Sequence, residues 1–175
     1  MQFLQGIKSY FKAQKQVLFH VFFTSALITG LDLLTKHIVF SMQQTGIYVC
    51  SIFNVLKVKN YGVSFGILNE GNHSGYVYFI LVLEILITMF LLCSLRDCQK
   101  YKKPRLFLFA NAFIIGGALG NIIDRIRNGY VRDFLDFHIG SYHWPCFNVA
   151  DIFICVGVGI WIICELFFRK KVFEK

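Results

Sequence analysis

The chain has 175 residues, of which 56% are hydrophobic and only 16% charged, against roughly 25% charged in an average soluble domain. That composition excludes a disordered chain, which needs low hydrophobicity and high charge, and it leaves too few polar side chains to cover a soluble globule. The formal net charge of +8 comes from 18 Lys and Arg against 10 Asp and Glu. Whether it serves nucleic acid, a membrane surface or membrane topology depends on where the cations sit.

A bilayer core about 30 Å thick needs about 20 mostly apolar helical residues to cross it. In chain order, spans are predicted over about 17–40, 76–95, 106–123 and 149–168. The first follows a basic N-terminus but is longer than a signal-peptide core and lacks a small-x-small cleavage site, so an uncleaved span is expected. It carries Asp32, Lys36 and His37. An ionisable group inside a span costs about 2.5–3.5 kcal/mol. Asp32 and Lys36 stand four apart on one helix face and are expected to pair, unless the lysine snorkels to the interface.

The connection 41–75 contains a Val-, Ile-, Tyr- and Phe-rich stretch, 47–60, that reads as one or two short strands. The turn at Asn60-Tyr61-Gly62 is expected to lead into a short interfacial helix over 62–70. The second span holds Glu84 near its middle, with no chemistry assigned to it. The third contains Gly116, Gly117 and Gly120, including a G-x-x-x-G spacing that permits close helix contact. At its outer end Asn121, Asp124 and Arg125 share a helical face. Residues 130–147 again read as strands. Open strands are not tolerated in hydrocarbon, so a small sheet on the outer membrane surface is expected, anchored by Trp144 and several tyrosines. The fourth span opens with Asn148 and Asp151 and carries Gly157 and Gly159.

The cations then sort by side. Lys8, Lys12 and Lys15 precede span one, a cluster from Arg96 to Arg105 joins spans two and three, and Arg169 to Lys175 follow span four. Under the positive-inside rule both termini are cytoplasmic, and segments 41–75 and 124–148 face outward. The basic clusters do not interleave with aromatics on one surface, so nucleic-acid binding is not expected. Of six cysteines, three fall inside spans and Cys98 on the cytoplasmic side, so only Cys50 and Cys146 face outward, where a disulfide is chemically allowed. No C-x-x-C or H-E-x-x-H spacing occurs, so neither a metal nor another cofactor is expected. There is no G-x-S-x-G either. The whole chain, 1–175, reads as one integral-membrane domain.

What remains is a set of carboxylates with Asn and Arg around them. Spans three and four are antiparallel, so Asp133 and Asp151 can meet near the outer surface. Two close carboxylates do not readily both ionise, and the pair shares a proton. One then acts as general base on water while the other protonates a carbonyl or a leaving amine. By residues alone, the same network equally suits a small transporter or channel, a scaffold subunit, or a lipid-modifying enzyme with one Asp as base.

The stretches GGALGNIIDRIRNGYVRDFLDF (116–137), WPCFNVAD (144–151), LDLLTK (31–36) and KNYGVSFG (59–66) resemble the lipoprotein signal peptidase, or signal peptidase II, family. The resemblance runs through all four spans in order. It implies an all-α membrane protein with four transmembrane helices, a small extracytoplasmic β-sheet or cradle and a short interfacial helix, in the bacterial inner membrane. It further implies an aspartic endopeptidase that cleaves diacylglyceryl-modified prolipoproteins just before the lipidated cysteine and is inhibited by globomycin-type peptides. The matching motifs, V-x-D-F and F-N-x-A-D, place the catalytic pair on Asp133 and Asp151. The resemblance places substrate- or dyad-orienting residues on Asn60, Asn121, Arg125 and Asn148, and supporting roles on Asp32 and Asp124, with Lys36 as the partner of Asp32. Val63-Ser64, Arg132 and Ile152 depart from the common family pattern.

Overall fold

The computed structural model describes residues 2–62, 74–94 and 105–168. The expected interfacial helix, beyond Gly62 at its start, and the basic clusters at 96–103 and 169–175 lie outside the described residues. Four helices and four strands alternate in the described chain: α1 Gln2–Ser41, β1 Gly46–Cys50, β2 Phe53–Asn60, α2 Ser74–Ser94, α3 Arg105–Asn128, β3 Val131–Ile139, β4 Tyr142–His143 and α4 Val149–Phe168. Helix α1 starts well before the apolar span predicted at 17, because no proline interrupts the helix among its polar N-terminal residues. Among the described residues, three helical stretches are long and apolar enough to cross a membrane: Lys15–Ser41, Arg105–Asn128 and Val149–Phe167. Helix α2 contributes a shorter apolar stretch, Val77–Cys93.

Helix α3 is the centre of the bundle. Its apolar window is 67% buried, against 22% for α1 and 17% for α4, and it packs against all three other helices. The outer helices turn large apolar side chains outward, with Phe22 74% and Phe167 72% exposed, as expected where the solvent is lipid. Lipid tails are as apolar as a core, so helices associate there through close packing and hydrogen bonds. A Cβ on Gly116 would meet Ser25 O at 2.8 Å, one on Gly117 would meet Ala150 O at 2.5 Å, and one on Gly157 would meet Ala110 O at 2.9 Å. The expected packing role holds at these positions but not at Gly159, which has nothing within 4 Å. Thr29 Oγ1 donates to Gly116 O at 2.8 Å and Ser25 Oγ to Ala112 O at 3.0 Å, tying α1 to α3.

The strands form one antiparallel sheet in the order β1-β2-β3-β4. Gly129, in the left-handed region at φ 76°, ends α3, and its N–H donates to Arg125 O at 2.9 Å. The chain turns there directly into β3. After β4, Phe147 returns to β3: Phe134 N–H and Leu135 N–H both donate to Phe147 O, at 3.0 and 2.8 Å. The Phe137 and Phe147 rings stack at 5.8 Å. This return delivers Asn148, the first residue before α4, to the strand that carries Asp133.

Candidate active site

The entry into α4 is a reciprocal cap. Asp151 N–H donates to Asn148 Oδ1 at 3.0 Å, and Asn148 N–H donates to Asp151 Oδ2 at 3.1 Å. This is the capping-box arrangement with Asp in place of Glu or Gln. The next free amide, Ala150 N–H, donates to Asp32 Oδ1 of α1 at 2.9 Å. The N-terminus of α4 therefore receives two carboxylates, which its unsatisfied amides and dipole favour. The F-N-x-A-D spacing thus has a structural meaning: it starts a helix and fixes the Asp151 carboxylate at the same time.

Asp133 comes from the buried edge of β3 and is 2% exposed. Asn148 Nδ2 donates to its Oδ1 at 2.7 Å, and Asn60 Nδ2, from the end of β2, donates to its Oδ2 at 2.9 Å. Asn60 is held in turn by Gly62 N–H, which donates to Asn60 Oδ1 at 2.8 Å. Asn148 therefore touches both carboxylates, Asp133 through its amide and Asp151 through its backbone and carbonyl. Burial first, and then the charge of Asp151, push the Asp133 carboxyl up to about 6, against the smaller opposing effect of the Asn60 and Asn148 hydrogen bonds.

A second tier lies beneath. Lys36 is fully buried and donates to Asp32 Oδ2 at 2.7 Å and to Asn121 Oδ1 at 2.8 Å, with Asp124 Oδ2 at 3.6 Å. With its oxygen occupied by Lys36, Asn121 presents Nδ2 to Asp151 Oδ1 at 2.9 Å. Gly120 lets Asp32 approach α3, since a Cβ there would collide with the Asp32 carboxylate. Asp124 is gripped by Arg132, whose Nη2 donates at 2.6 Å and whose backbone N–H donates at 3.0 Å. Arg132 is thus a clamp between α3 and β3.

The structure brings Asn60, Asn121, Asn148, Asp133, Asp151, Asp32 and Lys36 into one hydrogen-bonded network. Asp124 joins it through Lys36. Arg125 turns elsewhere: its Nη1 donates to Glu84 Oε1 of α2 at 2.6 Å. That pair gives Glu84 the partner its sequence context did not reveal. Arg125 also lines a groove of about 480 Å³ between α2 and α3, with Tyr61, Val77, Tyr78, Leu81 and Tyr130. Its buried Nε has no hydrogen-bond partner among the described residues.

His138 and His143, five residues apart in the chain, meet at Asp136. The one linear signal is the alternating Asp136-x-His138; the hairpin supplies the rest. Cys50 and Cys146 are both free thiols. Burial, then the charges of Asp136 and Asp133, push the Cys146 thiol up to about 12, which keeps it protonated at neutral pH.

Apolar helices of membrane-crossing length, joined to a buried network of carboxylates and carboxamides, define the class: a multi-pass membrane protein with an enzyme-like polar site. The family described as Signal peptidase (SPase) II matches residues 24–168. The lipoprotein signal peptidase of Francisella tularensis subsp. novicida (strain U112) is 38% identical over 152 residues, covering 86% of this chain and 93% of that protein. The lipoprotein signal peptidase of Haemophilus influenzae is 41% identical over 152 residues, covering 84% of this chain and 85% of that protein. A bacterial membrane enzyme solved by the in meso method at 2.3 Å matches with a TM-score of 0.73 at 30% identity, covering 89% of this chain and 93% of that one. The chain belongs to the signal peptidase II family, and it is a membrane peptidase of bacterial type.

Proposed function

We propose that the chain removes the signal peptide from diacylglyceryl-modified prolipoproteins by aspartic chemistry, with Asp133 and Asp151 as the catalytic pair. The observation that carries this reading is the bridging of the two carboxylates by Asn148. Asp133, whose burial pushes its carboxyl up to about 6, supplies the acid. Asp151 takes a proton from water, whose oxygen adds to the carbonyl before the lipidated cysteine. The tetrahedral intermediate collapses as the C–N bond breaks, and the proton passes to the leaving amine. Asn60, Asn121 and Asn148 hold the carboxylates, Lys36 holds Asn121, and Asp32 and Asp124 hold Lys36.

Helix α2 is the fourth crossing in this reading, since its 21 residues reach about 31 Å at 1.5 Å per residue. The single domain then spans the membrane four times, with its termini cytoplasmic and the sheet outside. Peptide enters laterally along the groove between α2 and α3 that Arg125 lines, and the acyl chains stay in lipid. Globomycin-type peptides compete for the same space. The transporter or channel reading finds no support in the buried charges, since Asp32 and Lys36 bond each other and neighbouring helices.

The test is purified protein with a diacylglyceryl-modified precursor, with and without globomycin, read by mass spectrometry. Loss of the signal-peptide mass, blocked by globomycin, is expected. Asp133→Asn and Asp151→Asn are expected to lower the rate on the order of 10²–10⁴-fold, the usual contribution of a positioned acid or base. Undiminished processing by either variant rejects the assignment.

A further inference from the structure

Strand geometry gathers a second group of side chains outside the catalytic network. Asp136 and His138 stand two apart on β3 and so project from the same face. The register pairs His138 with His143 of β4 and Asp136 with Asn54 of β2. The His138 and His143 rings stack at 4.8 Å with 17° between their planes. His143 Nδ1 lies 2.8 Å from Asp136 Oδ1, and His138 Nδ1 lies 3.7 Å from Asp136 Oδ2. Asn54 Nδ2 donates to Asp136 Oδ2 at 3.0 Å. One potential ligand atom from each of Asp136, His138 and His143 falls within 4.8 Å of the others.

Asp136 is only 2% exposed, and a buried carboxylate needs a positive or donating partner. Among the described residues its ion-pair partners are the two histidines, with no Lys or Arg. Three convergent ligand atoms around one buried negative charge, with no fixed cation beside it, suit a metal ion.

We propose that Asp136, His138 and His143 form a binding site for a divalent transition metal, Zn²⁺ in the first instance. Two imidazole nitrogens and a carboxylate oxygen match the donor preference of Zn²⁺, whereas Ca²⁺ and Mg²⁺ take oxygen ligands. Zinc bonds of about 2.0–2.1 Å in a tetrahedron separate ligand atoms by about 3.3 Å. The contacts to Asp136, at 2.8 Å to Oδ1 and 3.7 Å to Oδ2, flank that value, and side-chain rotation has to draw in ligand atoms that lie within 4.8 Å of one another. Each histidine binds through Nδ1 and carries its proton on Nε2. Asn54 remains as the outer partner that orients the carboxylate. The side chain of His143 is 49% exposed, which leaves the fourth position open to water. The metal clips the two-residue strand β4 onto β3, the strand that also carries Asp133. It takes no part in the hydrolysis.

The test uses the full chain in detergent, stripped with a chelator and titrated with Zn²⁺ by calorimetry, with Co²⁺ absorption in parallel. One equivalent of Zn²⁺ and Co²⁺ d–d bands are expected. His143→Ala, a change at a half-exposed side chain, is expected to weaken Zn²⁺ binding at least tenfold and to remove the bands. On the unsubstituted protein, Zn²⁺ is expected to protect His138 and His143 from diethyl pyrocarbonate, read by peptide mass mapping. No stoichiometric binding, unchanged binding by a folded His143→Ala, or no protection of these two histidines overturns the proposal.

Discussion

Each asparagine of the site spends one half of its amide on a neighbour and the other half on a carboxylate. Lys36 occupies Asn121 Oδ1, which directs Nδ2 at Asp151, and Gly62 N–H occupies Asn60 Oδ1, which directs Nδ2 at Asp133. A pH prediction follows from the sign of these bonds. Asp133 ionises as pH rises through about 6, so kcat/KM is expected to fall on that side if Asp133 is the acid. The Asn60 bond lowers the Asp133 value. Asn60→Ala therefore raises it and is expected to move the falling limb to higher pH, measured in a pH–rate profile. A limb that stays in place removes Asp133 from the acid role. At Lys36, removing one partner of a buried pair strands the other charge, at a cost of about 3–5 kcal/mol. Lys36→Met is thus expected to destabilise the protein strongly, and Asp32→Leu/Lys36→Met together less so, by thermal unfolding in detergent. The Asp32–Lys36 pairing was legible from their four-residue spacing. The roles of Arg132 and Glu84 were not, because their partners, Asp124 and Arg125, come from other elements or across a turn.

Helices α1, α3 and α4 are arranged around the site by how closely their backbones approach. Gly117 lies against Ala150 O, in the first turn of the helix that presents Asp151, while Gly159 on the same bundle faces open space. Gly117→Ala is expected to cost about 1–3 kcal/mol through overpacking and to lower activity by displacing the start of α4. Gly159→Ala is expected to be neutral or to stabilise by up to about 1 kcal/mol, the helix-propensity gain. Unfolding temperatures and cleavage rates of the two variants separate these outcomes, and equal effects contradict the packing. Glycine content and a G-x-x-x-G spacing pointed to close helix contact in the sequence. Which glycines face a neighbour is decided by helix rotation, which a pattern of apolar residues on every side does not specify.

At the scale of the whole molecule, the outward-facing and buried surfaces of the helices are both apolar, so apolarity by itself does not orient the chain. The four-crossing topology predicts that a membrane-impermeant maleimide added to spheroplasts labels Cys50, an exposed thiol on β1, and that Cys50→Ser loses that label. Labelling only after the membrane is permeabilised would place the sheet on the cytoplasmic side. The same sheet holds Asn60 and Asp133 on adjacent strands.

The sequence by itself determined the membrane class, the apolar helices, the strand-forming segments and the family, because hydropathy length, β-branched runs and short motifs are local properties of the chain. It also marked the acids and asparagines of the site, since polar groups are scarce where burial makes them costly. Only the tertiary structure decided how they are wired. The cap that joins Asn148 to Asp151, the reach of Asp32 to the Ala150 amide, the turning of Arg125 to Glu84 and the meeting of two histidines at Asp136 all depend on contacts between separate elements. Helix rotation and strand register fix those contacts, and no local pattern encodes either one alone.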